Sequence, residues 1–482
     1  MTPPFRDTLF GKSARYLVAS GVPALINFAA LAVYTRLLSP GEFGRAAVIL
    51  ASVALANALL FQWLRSALRR FAKASDQDTK VVLGTVRRLF VATVLAAVAA
   101  VAMYLVMRSR VGMAASLIVL GLCILIFQAW YELSLEIVLS DLRPWHYGAF
   151  GLVKAVASFG SGVLMVRRGF GAEGLLTGVA IGYAVPGLAQ LLVYWRGTGK
   201  PAAWRATART LIAYGLPLTA TFSMQFIIDS SDRLLLGALR SPAEVGPYAA
   251  AYDLSWQALT VLMMVVNLAA FPLAVRALEQ FGWESARGQL HHHAVLLLAV
   301  ALPACTGLAM LARNIGVVFL GEAFREPAAR MLPVLAAGLC LAGIKGFYLD
   351  VGLQLARRTT PLIIIAAAGA IVNVALNLVL IPPMGAIGAA WATLIAYGIA
   401  FIGSLLLARR LVGLPLPWFE WSKILVATFV MGLVLLPLRA WEGRAALVVQ
   451  ILAGMGACAL TYLALNLDGV RSERLRRFIA TA

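Results

Sequence analysis

Fourteen runs of mostly apolar residues, each about 20 long or longer, follow one another along this chain. That is the length an α-helix needs to cross the hydrocarbon core of a bilayer, where every backbone N–H and C=O must be paired within the protein. The runs are 16–37, 44–64, 86–107, 112–140, 146–166, 172–195, 209–239, 246–275, 291–312, 326–355, 361–381, 386–408, 422–438 and 445–467. At about 23 residues each they would take up about two thirds of the chain, leaving short loops and no soluble domain. Composition agrees: 61% of the 482 residues are hydrophobic and 13% are charged, against about 45–50% and about 25% in soluble domains. A soluble enzyme, a disordered chain and a disulfide scaffold are excluded, because no globular surface could hide so much apolar area. The predicted class is all-α, a polytopic membrane protein of about 14 transmembrane helices.

The net charge of +20 would suggest nucleic-acid binding in a soluble protein. Here the Lys and Arg residues sit at the ends of apolar runs, where they set topology and meet anionic headgroups, so no nucleic-acid partner is expected. Even-numbered loops and the two termini carry about twice as many Lys and Arg as the odd-numbered loops. Both termini are therefore expected in the cytoplasm. The densest basic cluster, Arg65 to Arg88, falls around the second loop. The basic start, Met1 to Arg15, leads into a run too long for a signal peptide and reads as a retained first helix. Cys123, Cys305, Cys340 and Cys458 lie inside apolar runs without C-x-x-C spacing and read as small core residues.

The chain repeats itself. Ser39-Pro40-Gly41-Glu42-Phe43-Gly44 and Ser241-Pro242-Ala243-Glu244-Val245-Gly246 both read S-P-x-E-x-G, each after a span carrying G-x-P (Gly21/Pro23 and Gly215/Pro217). Gly171-Ala172-x-Gly174 with Tyr183 matches Gly385-Ala386-x-Gly388 with Tyr397. S-P-x-E-x-G alone is an ordinary helix start, with a Ser cap, Pro in the first turn and Glu three residues on. Two pairs at corresponding points imply a duplicated six-helix unit. Six is even, so both halves point the same way, as in parallel-repeat transporters that rock about a central cleft. The predicted organisation is an N-lobe (1–195), a cytoplasmic linker (196–208), a C-lobe (209–411), two further helices (412–467) and a basic cytoplasmic tail (468–482).

Three stretches carry a resemblance: R-L-L-S-P-G-E-F-G (Arg36 to Gly44), D-R-L-L-L-G with V-G-x-Y (Asp232 to Gly237, Val245 to Tyr248), and Asn373 to Thr393. With the 6 + 6 + 2 layout, they make the chain similar to polysaccharide-type, Wzx-like members of the multidrug/oligosaccharidyl-lipid/polysaccharide (MOP) exporter superfamily. The resemblance implies a flippase moving undecaprenyl-diphosphate-linked oligosaccharide from the cytoplasmic to the periplasmic leaflet of a bacterial inner membrane. It implies ion-driven alternating access with a proton or sodium ion, no other cofactor, and a polysaccharide polymerase and glycosyltransferases as partners. Gly11-Lys12-Ser13 agrees in being no P-loop, since Arg6 stands where its first glycine belongs. A drug/cation antiporter and a lipid II flippase of the same superfamily stay open. A membrane-embedded glycan enzyme fits less well, because the odd loops are short and all four histidines map to the cytoplasmic side.

Ionisable groups at bilayer depth each need a partner or a wet cavity. Lys154, Lys345, Arg36, Arg65 and Arg233 are candidate substrate or cleft-lining cations, and Glu132, Asp229, Asp232, Asp253 and Asp350 candidate coupling-ion sites. Glu132 and Glu136 share a helix face. Glu132 and Lys154 lie at similar depth on consecutive antiparallel spans, either as a structural ion pair or as a cleft-lining pair. Asp229, Asp232 and Arg233 crowd the outer half of span 7, where Asp253 could complete the cluster. Lys345 sits in a glycine-rich stretch, the kind of broken helix where transporters place sites. His291-His292-His293 project about 100° apart, cannot share one metal ion and read as solvated. Trp63, Trp130, Trp145, Trp195, Trp418 and Trp421 read as an interfacial belt.

Overall fold

The computed structural model describes residues 5–72, 79–107, 115–141, 143–195 and 204–467. Every regular element among them is helical. Eleven described segments are long and apolar enough to cross a membrane. Two of them, Trp145–Tyr194 and Glu322–Leu355, each contain two helices, and Gly21–Leu37 is a shorter apolar piece. The protein is a polytopic all-α membrane protein. The expected tail (468–482), most of the linker (196–208) and Lys73 of the basic cluster lie outside the described residues.

The chain packs as two compact units, Met1–Gly246 and Pro247–Ala482. The first holds α1 (Phe5–Leu37), α2 (Pro40–Phe71), α3 (Thr79–Met107), α4 (Ala115–Ser140), α5 (Pro144–Met165), α6 (Gly171–Tyr194) and α7 (Trp204–Leu239). It ends within the first turn of α8 (Pro242–Phe281). The lobes expected from sequence follow duplication, whereas these units follow packing, and α7 falls in the first because it lies along α2. Glycine permits that approach. A Cβ on Gly215 would lie 2.9 Å from the Trp63 carbonyl carbon, and one on Gly237 2.9 Å from a Val48 methyl. Small residues at such crossings replace the hydrophobic drive that lipid cannot supply.

The expected helix starts are built as the sequence indicates. At α2 the Ser39 hydroxyl accepts from the Glu42 N–H while the Glu42 carboxylate accepts from the Ser39 N–H at 3.1 Å, a closed capping box. The second motif starts α8 at Pro242, with the Glu244 N–H donating to the Ser241 carbonyl at 3.1 Å and Arg240 donating to the Glu244 carboxylate at 2.9 Å. The duplication also shows in the backbone. Gly171 (φ 50°, ψ −129°) opens α6 and Gly385 (φ 60°, ψ −139°) opens α14, a conformation closed to most side chains.

The second unit continues through α9 (Trp283–Met310), α10 (Ala312–Phe319), α11 (Glu322–Ile344), α12 (Asp350–Leu355), α13 (Thr360–Met384), α14 (Ala386–Val412), α15 (Trp418–Leu438) and α16 (Arg444–Ala464). A π-helical turn, Lys345–Leu349, joins α11 to α12. Its polar core is side chain to side chain: Tyr248 to Thr393 at 3.3 Å, Tyr252 to Tyr397 at 3.5 Å, and Asn377 donating to Asn373 at 3.2 Å. The last two helices are tied in by Asn314, which donates to Gln450 at 2.7 Å and accepts from the Gly443 N–H at 2.8 Å.

Two expectations need correction. His293 is not solvated: it is 1% exposed, and its ring meets Tyr348 edge-on at 6.0 Å. Each residue along a helix turns the side chain by about 100°, which leaves His292 exposed and turns His293 inward. Nor do all the tryptophans form a belt. Trp145 and Trp418 are exposed, but Trp63 and Trp195 are buried, and Trp195 stacks on Trp130 at 4.7 Å. The Trp195 indole N–H donates to Ser134 at 3.0 Å, and that of Trp130 to the Gly187 carbonyl at 3.1 Å, so both polar tips find partners inside the bundle.

Candidate functional site

The charges of the first unit meet between α2 and α4. Arg65 and Arg69 stand one turn apart on α2, and Glu132 and Glu136 one turn apart on α4. Arg65 is ion-paired to Glu132, and Arg69 donates to the two oxygens of Glu136 through Nε at 2.8 Å and Nη2 at 2.5 Å. Asn57 and Gln128 complete the Glu132 carboxylate with donors at 2.8 and 2.9 Å, and Gln62 accepts from Arg65. Arg65 and Glu132 are only 12% and 24% exposed. The surrounding amides take the carboxylate's remaining lone pairs and one further guanidinium nitrogen, which offsets part of the desolvation, while the Arg65 Nε is left buried without a hydrogen-bond acceptor.

Lys154 is elsewhere. Its ammonium lies 4.6 Å from the Tyr183 ring centroid and 6.0 Å from that of Tyr131, with the Tyr183 hydroxyl at 3.5 Å. Tyr131 and Tyr183 are themselves in edge contact at 5.6 Å. The Glu132–Lys154 ion pair entertained from depth alone is therefore not formed. α4 packs closely on α2 and α6 and only lightly on α5, so Glu132 faces Arg65 while Lys154 faces the tyrosines. Among the described residues no ion pair holds Lys154. Cation–π contact stabilises a desolvated ammonium by about 2 kcal/mol, which is less than a full counter-ion supplies.

Asp229, Asp232 and Arg233 lie on α7, with Asp232 buried and the others half-buried, and none is without a partner. Arg36 is exposed at the end of α1, donating to the Ala32 carbonyl at 2.7 Å. In the second unit Asp253 is half-buried on α8. Lys345 and Asp350 come together at 2.6 Å, and Ser404 donates to the other Asp350 oxygen at 2.8 Å. The π turn is why they meet, since its wider ring brings residues five apart to one face. Glycines and spacing marked Lys345 in the sequence, but no helical periodicity would have paired it with Asp350.

The two S-P-x-E-x-G motifs, about 200 residues apart in sequence, touch. A Cβ on Gly44 would fall 2.7 Å from the Pro242 carbonyl carbon and 2.9 Å from the Gly246 nitrogen. A Cβ on Gly246 would fall 3.0 Å from the Pro40 carbonyl carbon. Each motif's last glycine thus lies on the other's proline, a reciprocal contact that only glycine allows.

A family profile described as polysaccharide biosynthesis protein matches residues 33–329. A probable low-salt glycan biosynthesis flippase, Agl15, of Haloferax volcanii is 23% identical over 358 residues, 71% of either chain. Among solved structures, the lipid II flippase MurJ in an inward closed conformation superposes with a TM-score of 0.79 at 15% identity, covering 94% of this chain and 99% of MurJ. An inward-facing multidrug resistance MATE transporter gives 0.61 at 13% identity, covering 85% and 99%. These superpositions establish the fold, which the chain shares with MurJ and with a MATE transporter of the MOP superfamily. With the profile spanning more than half of its length, the chain belongs to the polysaccharide biosynthesis protein family.

Proposed function

We propose that this protein is a flippase that carries an undecaprenyl-diphosphate-linked oligosaccharide from the cytoplasmic to the outer leaflet of the bacterial inner membrane. It works by alternating access, with both termini in the cytoplasm, and does no covalent chemistry. The observation that carries the reading is Lys154: a half-buried ammonium held by two tyrosines and in no ion pair is completed by a ligand anion, and a diphosphate supplies one. Family membership and the Agl15 flippase support the glycan, and the touching motifs support a gate that opens and shuts. Arg65 is the second cation, released to the diphosphate when Glu132 takes up the coupling proton or sodium ion.

A second reading, flipping of lipid II, draws on the fold shared with MurJ. Reconstitution tests both. In proteoliposomes containing a fluorescent undecaprenyl-diphosphate-linked oligosaccharide or fluorescent lipid II, dithionite added outside bleaches only outward-facing label. An ion gradient should move the oligosaccharide substrate between leaflets, changing the bleached fraction, and Lys154→Met should abolish the change. Movement of lipid II alone would favour the second reading, and movement of neither would reject both.

A further inference from the structure

At the end of the first unit where α1 passes to α2 and α5 to α6, a cavity of 290 Å³ opens to solvent. Glu42 and Arg45 from α2, Leu117 from α4, and Phe170, Gly171 and Glu173 from the start of α6 line it. The lining is built rather than incidental. Glu42 is held by the Ser39 N–H and hydroxyl, and a Cβ on Gly171 would stand 3.1 Å from its carboxyl carbon, so the glycine makes room for that carboxylate. Ser116 donates to one oxygen of Glu173. Arg45 is exposed and has no ion pair among the described residues, although two carboxylates share its cavity. Phe170 is 54% exposed, an apolar ring at the rim.

This chemistry selects its ligand. An anion would meet Glu42 and Glu173. A divalent cation, which asks for six or more oxygens, would meet the Arg45 guanidinium. A polyhydroxyl ring suits all of it, with carboxylates accepting from neighbouring hydroxyls, the guanidinium donating to ring or hydroxyl oxygens, and the phenyl ring covering a C–H face. The volume, at the small end of the range for ligand pockets, fits about one sugar unit. We propose that this cavity is a sugar-binding subsite that takes one residue of the glycan head group. The idea rests on the flippase reading, and on the Lys/Arg asymmetry that puts this end outside, where the glycan is delivered.

The test uses purified full-length protein in nanodiscs with free glucose, galactose and N-acetylglucosamine as probes, read by saturation-transfer NMR titration. At least one sugar should bind, with affinity falling at least tenfold in Glu173→Gln and in Arg45→Gln. Arg330→Gln, at an exposed position on α11 of the second unit, should bind as wild type, and unchanged thermal midpoints would confirm that the variants fold. Absence of binding by all three sugars, or equal binding by the cavity variants, would overturn the proposal. So would a Glu173-dependent rise in thermal midpoint with 1 mM calcium chloride and none with sugar. If flipping fails in liposomes while sugar binding still depends on Glu173, the subsite stands and the transport reading falls.

Discussion

Gly44→Leu should abolish glycan export while leaving the protein's abundance unchanged. The new side chain would begin at a Cβ already overlapping the Pro242 carbonyl and the Gly246 backbone, and backbone at a helix start cannot swing aside as a flexible side chain can. The clash exists only where the two motifs touch. A state in which they are apart has room for leucine, so the substitution shifts the balance of states rather than unfolding the helices. Reversing a 99:1 preference takes about 5.5 kcal/mol, which a buried overlap of several heavy atoms readily exceeds. Gly246→Leu should act alike because the contact is reciprocal, whereas Gly41→Leu, with open space around its Cβ position, should export normally. Export by lipopolysaccharide or capsule immunoblot, beside quantitative blotting of the protein, separates these outcomes. Equal loss in Gly41→Leu would point to general damage at the helix start.

Lys154→Met should lose export at least tenfold without losing thermal stability, whereas Glu132→Ala should lose stability first. Methionine keeps the length of lysine and removes a half-buried charge that has two tyrosine rings and one long hydroxyl contact but no ion pair, so the fold gives up little. Glu132→Ala strands Arg65, mostly withdrawn from water, with Gln62 as its remaining side-chain acceptor. Stranding one member of a buried pair costs about 3–5 kcal/mol. Arg65→Ala should cost less, because Asn57 and Gln128 still donate to the carboxylate. The double variant should regain stability relative to Glu132→Ala. Thermal midpoints in detergent, set against export in cells, check the pattern. A Lys154→Met variant that melts early would mark Lys154 as structural.

Much of this architecture is legible in the sequence because bilayer physics acts locally. Apolar length sets the spans, Ser39 and Glu42 announce a cap, and repetition of G-A-x-G marks two places where the chain takes the same glycine-only turn. Partnerships between helices are less legible. Glu132 and Lys154 stand at matched depth on consecutive spans, yet α4 turns its acidic face to α2, and no periodicity within α4 says which neighbour that face meets. The same gap hid the burial of His293, since three consecutive histidines at a helix end read alike until packing turns one inward. Touching of the S-P-x-E-x-G motifs is the most consequential feature of this kind. Duplication made the two motifs visible, but only the fold brings Gly44 against Pro242.

Alternating access requires those motifs to part, and cysteines at Gly41 and Ala243 measure whether they do. In a background lacking Cys123, Cys305, Cys340 and Cys458, a disulfide forms only when the two Cα atoms come within about 7 Å. Oxidation should cross-link the pair and stop export, and reduction should restore it, with protein abundance constant throughout. A pair that cross-links completely while export continues at its normal rate would contradict the account, because the glycan would then be passing a gate that never opens.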